Sequence, residues 1–155
     1  MFEGQHFQNG YITRDIEKAI AAFRTRGGVE KVISFEAPVE VATPKGRGTA
    51  VSKIAFIWVN NLQYELIQPL ADPLGIYGNC VSNGGPLRFH QTCVRVADWT
   101  DFRARVAKQD LPVAMERDLG GDSLKFLYLD ARKQVGHYLE YVWMTDAAWE
   151  QNRSM

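Results

Sequence analysis

Apolar residues recur at helical spacing close to the start of the chain. Four of them share one face of a helix at positions i, i+3, i+4 and i+7; they are Ile16, Ala19, Ile20 and Phe23. Asp15 is a suitable N-cap for this helix, and Gly27 with Gly28 is a suitable stop. The pattern predicts a helix over 13–24 that directly follows a short strand over 7–12.

Strand patterns fill the rest of the first half. Strands are predicted over 29–36, 51–59 and 62–68, and the proline and glycine residues between 38 and 48 predict a polar turn region. In the last of these strands Leu62, Tyr64 and Leu66 alternate with Gln63, Glu65 and Ile67, so Glu65 faces away from the leucines. Residues 69–86 are rich in proline and glycine and predict a long connection, with a short helix near Leu74 to Tyr77.

The second half repeats this order of elements. Strands are predicted over 87–96, 113–116, 124–129 and 134–142, and a turn over 120–122. A helix is predicted over 99–109, capped by Asp98 or Thr100, and the tail from Thr145 predicts a short helix that carries Trp149. Both halves are therefore predicted to have the same order of elements, which is a strand, a helix and three strands.

The repeat predicts an α+β fold. Because each half is too short to bury both faces of a sheet, we expect two βαβββ modules to form one curved, cup-shaped mixed sheet with the helices outside. The prediction is a single domain over 1–155, with module 1 over about 6–69, a linker over about 70–86, module 2 over about 87–143 and a C-terminal tail over 144–155.

Charge and composition narrow the classes of partner. The 18 basic residues equal the 18 acidic residues, whereas binding to nucleic acid normally needs a basic excess. No apolar run is long enough to cross a bilayer, and the N-terminus has no signal-peptide pattern. The two cysteines, Cys80 and Cys93, do not make a disulfide scaffold. We expect a cytoplasmic protein with no membrane and no nucleic-acid partner.

Two carboxylates stand in apolar strands at matching places. Glu65 lies in the last strand of the first half and Glu140 in that of the second, and a carboxylate there is costly unless it is paired, hydrogen-bonded or ligated. The opening strands supply Gln8 and His90, so four polar side chains converge if the concave faces meet. His6 is an alternative to Gln8, since it faces the same side of that strand. Singly, each of these residues also suits an ordinary surface or core position.

The order and spacing of these motifs resemble the vicinal oxygen chelate superfamily. The family includes glyoxalase I, methylmalonyl-CoA epimerase, bleomycin resistance proteins and extradiol dioxygenases. The resemblance is carried by the run from Phe7 to Ile20, the run from Glu65 to Leu70, His90 at the opening of the second module and Glu140 at its close. It implies a divalent metal ion (Zn, Ni, Co, Mn or Mg) held by Gln8, Glu65, His90 and Glu140. Many members have histidine where Gln8 stands.

The resemblance also implies a reaction. We expect a metal-dependent lyase or an isomerase such as an epimerase, which abstracts a proton next to a carbonyl or thioester of a small-molecule substrate. Glu140 is the expected base and Glu65 its partner or the acid on the opposite face. A metal-free binding or resistance protein on the same fold is the alternative. A ring-cleaving dioxygenase ranks last, because it would need histidine at positions 8 and 65. A homodimer is possible, with modules paired within a chain or across the dimer.

Overall fold

The computed structural model describes residues 3–26, 29, 31–78 and 85–155. Within these ranges it has eight strands: β1 (Gln5–Ile12), β2 (Val32–Thr43), β3 (Gly46–Val59), β4 (Leu62–Ala71), β5 (Arg88–Arg95), β6 (Val113–Arg117), β7 (Leu124–Asp130) and β8 (Tyr138–Met144). The helices are α1 (Ile16–Arg24), α2 (Trp99–Val106), α3 (Arg132–Val135) and α4 (Asp146–Ser154). The repeated order of strand, helix and three strands is confirmed.

The strands form one strongly curved sheet that closes into a barrel in the order β1-β4-β3-β2-β6-β7-β8-β5. Within each half, the opening strand runs parallel to the closing strand, β1 to β4 and β5 to β8. The halves meet along an antiparallel pairing of β1 with β5. On the opposite side, the register of β2 and β6 consists of the single pair Ala42 and Glu116. The predicted α+β fold with a curved mixed sheet is thus confirmed.

The helices pack on the outside of the sheet. Ile16 and Ile20 of α1 cover the outer face of β3 and β4, where Leu66 is fully buried. Phe102 of α2 covers β7 and β8 in the same way and contacts Tyr141. No helix within the described ranges is both long enough and apolar enough to cross a lipid bilayer.

Aspartates cap helices α1 and α2, as predicted. The Asp15 side chain accepts a hydrogen bond from the backbone N–H of Lys18, and Asp98, rather than Thr100, accepts one from Asp101. Each cap satisfies a backbone donor that the first helical turn leaves without a partner. The predicted stop at Gly27 and Gly28 lies outside the described residues.

The predicted turn over 38–48 is wrong, because β2 continues through Pro38 to Thr43 and the reversal takes place at 44–45. Proline has no N–H to give to a neighbouring strand, so it is tolerated where one side of a strand is unpaired. At Pro38 the strand pairs with Val51 of β3, whereas its pairing with β6 is confined to Ala42. Because one side of β2 is unpaired at this point, the strand continues through a proline that would otherwise end it.

Two other boundaries also differ from prediction. The predicted strand over 134–142 begins only at Tyr138, since Arg132–Val135 forms α3 and Gly136 then takes a left-handed φ of 86°. The predicted helix near Leu74 to Tyr77 is a non-helical turn. The carboxylate of Asp72 holds this turn by accepting hydrogen bonds from the backbone N–H groups of Ile76 and Tyr77, at 3.0 and 2.8 Å.

Candidate active site

Strand alternation directs Glu65 and Glu140 into the barrel. On β4, Leu66 packs under α1, so Glu65 and Gln63 point inward. On β8, Leu139 and Tyr141 pack under α2, so Glu140 points inward. The apolar outer neighbours thus decide the direction of each carboxylate, and both carboxylates point into the interior of one barrel, on either side of the paired strands β1 and β5.

The register makes the two halves equivalent around this pair. Gly10 of β1 stands beside Glu65, and Cys93 of β5 stands beside Glu140. Across the β1–β5 seam, Gln8 pairs with Cys93 and Gly10 pairs with Gln91. Gln91, and not His90, is therefore the counterpart of Gln8 in the second module.

His90 lies at an irregularity in β5. The register shifts there, because Gly10 pairs with Gln91 whereas Tyr11 pairs with Phe89. His90 is 7% exposed, and its ring lies 4.7 Å from the Tyr138 ring, centroid to centroid. Its Nδ1 donates a hydrogen bond to Oε1 of Gln91 at 2.5 Å, and its Nε2 lies 3.4 Å from the carbonyl oxygen of Ile76. Burial lowers the pKa of His90, so the ring is neutral at pH 7.

Glu140 is a buried carboxyl group in an apolar setting, with 8% of its surface exposed. Burial raises its pKa to about 7, although the neighbouring Cys93, Gln91 and Tyr128 side chains offset part of the rise. Its Oε2 has no hydrogen-bond partner among the described residues. A carboxylate with these properties loses its proton near neutral pH, which suits a general base.

Glu65 also favours its protonated form. Burial raises its pKa well above the ordinary value, repulsion from Glu140 raises it further, and a hydrogen bond from Gln91 works against both effects. Two nearby carboxyl groups cannot both ionise without large cost. The pair therefore holds a proton near neutral pH, so that one carboxyl group is neutral while the other is ionised.

Phenol groups complete the surroundings of the pair. Burial and the nearby carboxylates raise the pKa of Tyr77 and that of Tyr128, so both phenols stay neutral. Burial also raises the pKa of the Cys93 thiol, which keeps it protonated. The phenol and thiol groups beside Glu65 and Glu140 are thus uncharged.

Gln8 is also buried inside the barrel, but its amide is engaged elsewhere. Its Nε2 donates to Oε1 of Gln63 at 2.7 Å, and Nε2 of Gln63 donates to Oδ1 of Asn152 at 3.0 Å. His6, the alternative to Gln8, is exposed and shares a 2.9 Å hydrogen bond with the side chain of Asn9. Gln8 and not His6 therefore belongs to the interior.

These positions test whether a metal ion fits. The described residues contain no group of three or more histidine, cysteine, aspartate or glutamate side chains placed to hold a metal ion. Both ring nitrogens of His90 face protein groups, and the Gln8 amide faces Gln63. Glu65 and Glu140 come together, but as arranged the four side chains do not fit one cation. The set Gln8, Glu65, His90 and Glu140 stays a prediction.

Sequence reasoning missed Gln91, whose side chain donates a hydrogen bond to Tyr128 inside the cup. The distance along the chain to the helix cap contains a signal for Gln91. Gln8 precedes the helix cap Asp15 by seven residues, and Gln91 precedes the cap Asp98 by the same distance. Aligning the two halves on their helix caps would have matched Gln91 with Gln8.

Comparison with known proteins agrees with this architecture. The family model described as glyoxalase/bleomycin resistance protein/dioxygenase superfamily matches residues 7–128. A variant of the methylmalonyl-CoA epimerase of Streptomyces coelicolor, solved in complex with 2-nitronate-propionyl-CoA, has a TM-score of 0.66 at 15% identity, covering 92% of this chain and 96% of that chain. The methylmalonyl-CoA epimerase of Mycobacterium tuberculosis has a TM-score of 0.62 at 16% identity and covers 97% of each chain.

A hypothetical protein from Bacillus halodurans has a TM-score of 0.58 at 14% identity, covering 94% of this chain and 97% of that chain. No curated protein matches the sequence. At these identities the solved structures support the fold, whereas the family model spans most of the chain. The chain belongs to the glyoxalase/bleomycin resistance protein/dioxygenase superfamily, whose fold is that of the vicinal oxygen chelate proteins.

Proposed function

We propose that this protein is an isomerase of the epimerase type, which moves a proton at a carbon next to a carbonyl group. The observation that carries the proposal is the meeting of two inward-pointing glutamates from matching strands of the two modules, the half-buried Glu65 and the buried Glu140. Proton transfer that inverts a carbon needs a base on one face and an acid on the other. A pair that shares one proton near neutral pH supplies both.

The proposed reaction assigns one role to each carboxyl group. The ionised Glu140 takes the proton from the carbon next to the carbonyl, and the resulting negative charge moves onto the carbonyl oxygen. Neutral Glu65 then gives its proton to the opposite face of that carbon. Because the phenol and thiol groups beside the pair are uncharged, the charge that develops interacts strongly with the dipoles of the nearby N–H and O–H groups.

The structural neighbours suggest the class of substrate. Their names include methylmalonyl-CoA epimerase, and one was solved with methylmalonyl-CoA and an ammonium ion. We therefore propose an acyl thioester with a hydrogen on the carbon next to the carbonyl as the substrate of this chain. Such a hydrogen is acidic enough for a carboxylate base in a water-poor site.

Hydrogen exchange in deuterium oxide tests this proposal. Methylmalonyl-CoA and propionyl-CoA are each incubated with the protein, and loss of hydrogen at the carbon next to the carbonyl is followed by mass spectrometry. The Glu140→Gln variant is expected to lose a factor of about 10² to 10⁴ in exchange rate, the usual contribution of a general base. The matched control is Glu17→Gln, which changes an exposed glutamate of α1 and is expected to retain the rate. No exchange by the unmodified protein with either thioester would overturn the proposal.

A binding protein is the second candidate, because tyrosine rings surround the same cup. The rings of Tyr77, Tyr128 and Tyr138 lie 5.7, 6.1 and 4.7 Å from that of His90. An aromatic wall suits capture of a flat or apolar ligand without chemistry. Tight binding of a thioester with no hydrogen exchange would favour this candidate over the epimerase.

A further inference from the structure

We infer that Gln91 is the positioning residue of this site: its buried amide, seated in the space left by Gly10, links Glu65 to Tyr128 and holds the Glu65 carboxyl group in place. This inference rests on the proposed function for its catalytic meaning. The contacts that support it belong to the structure itself, and no part of it requires a metal ion.

The seat for the Gln91 amide exists because residue 10 is glycine. A Cβ built on Gly10 would lie 2.1 Å from both Cδ and Nε2 of Gln91, far closer than atoms can approach. The two residues are neighbours across the β1–β5 seam. Gly10 has no left-handed φ that would demand glycine, so the space for Gln91 is the reason that a side chain is excluded there.

The amide is completely buried, and its hydrogen-bonding capacity is used toward the site. Nε2 donates to Oε2 of Glu65 and to the phenol oxygen of Tyr128, both at 3.1 Å. Oε1 accepts from Nδ1 of His90. Both amide hydrogens and the amide oxygen therefore have partners, which fixes the orientation of the group. His90 thus contacts Gln91 and acts on the carboxyl pair through that side chain.

This network determines how each carboxyl group is presented. Because Oε2 of Glu65 accepts the amide hydrogen, Oε1 is the oxygen left to carry the acidic proton. Because the phenol oxygen of Tyr128 accepts the other amide hydrogen, its own O–H is left to donate, and Tyr128 lies within hydrogen-bonding reach of Glu140. One amide therefore orients the acid directly, and it reaches the base both directly and through the Tyr128 phenol.

Replacement of Gln91 by methionine tests the inference, since methionine keeps the length of the side chain and removes both hydrogen-bonding atoms. We expect Gln91→Met to lower kcat for hydrogen exchange by about tenfold or more, with little change in KM, because a misplaced catalytic group affects the chemical step. The matched control is Gln109→Met. Gln109 is a partly buried amide that makes two hydrogen bonds at Leu111, remote from the cup, and its variant is expected to stay within about twofold of the parent.

A second test changes Gly10 and leaves Gln91 in the sequence. Gly10→Ala is expected to lower kcat as Gln91→Met does, because the added Cβ displaces the amide. In the Gln91→Ala background the same Gly10→Ala change is expected to cost much less stability, since the added Cβ then enters a vacated space. Equal costs in both backgrounds would contradict the proposed seat.

A stability cycle separates failure of this inference from failure of the proposed function. The unfolding midpoint in urea is measured for Glu65→Gln, Gln91→Met and the double variant, and the same is done with Gln109→Met in place of Gln91→Met. We expect non-additive shifts for the first pair and additive shifts for the second.

Additive shifts for Glu65 and Gln91 would overturn the inference, whatever the activity. An inactive parent protein with a non-additive first pair would overturn only the proposed function, and full activity of Gln91→Met would overturn the positioning role alone.

Discussion

At the scale of single residues, the central feature is a carboxyl group whose proton the fold retains up to near-neutral pH. Glu140 is buried between the strands of the second module, and its pKa of about 7 lies above the ordinary value of 4.5. Folding therefore binds a proton in the interval between these values, and stability is linked to pH through that proton. Glu65 shifts in the same direction and His90 in the direction that favours its neutral form.

The direction in which the free energy of unfolding changes with pH gives a prediction. Between about pH 4.5 and about pH 7 the folded state holds the Glu140 proton and the unfolded state does not, so the free energy of unfolding falls as pH rises, by at most about 1.4 kcal/mol per pH unit for one group. Urea unfolding of the parent protein and of Glu140→Gln, at about pH 5 and about pH 8, measures the difference. We expect Glu140→Gln to lose less stability over this interval than the parent.

The comparison between variants removes the contribution of His90, which is present in both proteins, and it reports Glu140 together with the part of the Glu65 pKa shift that repulsion from Glu140 causes. Glu17→Gln serves as the control, since this exposed side chain gains no burial on folding. An identical pH dependence in the parent and in Glu140→Gln would show that Glu140 titrates in the native protein as it does in the unfolded chain.

At the scale of elements, α4 closes one end of the barrel. Trp149 is 7% exposed and meets the Phe7 ring edge-on, with centroids 4.9 Å apart. Asn152 accepts hydrogen bonds from Gln63 at its side chain and from the indole of Trp58 at its backbone carbonyl. The helix is thus joined to the interior by one large ring and two polar contacts.

Removal of that ring should destabilise the whole domain. Trp149→Ala is expected to cost about 3–5 kcal/mol in free energy of unfolding, the usual range for deletion of a buried large aromatic ring. Chemical denaturation measures the loss, and Glu150→Ala on the exposed face of the same helix is the control, with an expected change within about 0.5 kcal/mol. A cost near zero for Trp149→Ala would mean that α4 does not contribute to the cooperative fold.

At the scale of the whole molecule, both modules belong to one chain and their opening strands meet along the β1–β5 seam. This seam lies between the two carboxylates, since Gly10 neighbours Glu65 and Cys93 neighbours Glu140. The Asp72–Gly78 turn adds Ile76 to the interior, where it packs with Met115 and Tyr128 of the other module. The site therefore exists only when the modules are joined.

The arrangement of the whole site predicts the response to metal ions. Because His90 and Gln8 face protein partners, we expect millimolar Mn²⁺, Ni²⁺, Zn²⁺ or Mg²⁺ to leave the melting temperature of the purified protein unchanged, whereas specific binding to the native state would raise it. Thermal unfolding with and without each ion, after treatment with a chelator, is the measurement. A rise that His90→Gln abolishes would show instead that His90 turns toward the carboxylates and completes the predicted cation site.

Local sequence patterns predicted an element well wherever the pattern arises from the residues that this element buries on one of its own faces. The helix periodicity that includes Ile16 and Ile20, and the alternation around Glu65, each report one buried face, and the structure has both. The pattern failed at Pro38, where only the absence of a neighbouring strand makes proline acceptable. It also failed after Arg132, where the chain forms a helical turn before β8 begins.

The amino-acid sequence by itself determined the repeated order of elements and the inward direction of Glu65 and Glu140, because side-chain alternation is a property of one strand and its apolar neighbours. Only the tertiary structure decided which polar residue joins them. The irregular register of β5 against β1 buries His90 and Gln91 together and brings Gln91 to the place opposite Gly10. Register between strands far apart in the chain depends on how the two modules pack, so the spacing to the helix caps could match Gln91 with Gln8 but could not show that the Gln91 amide reaches Glu65.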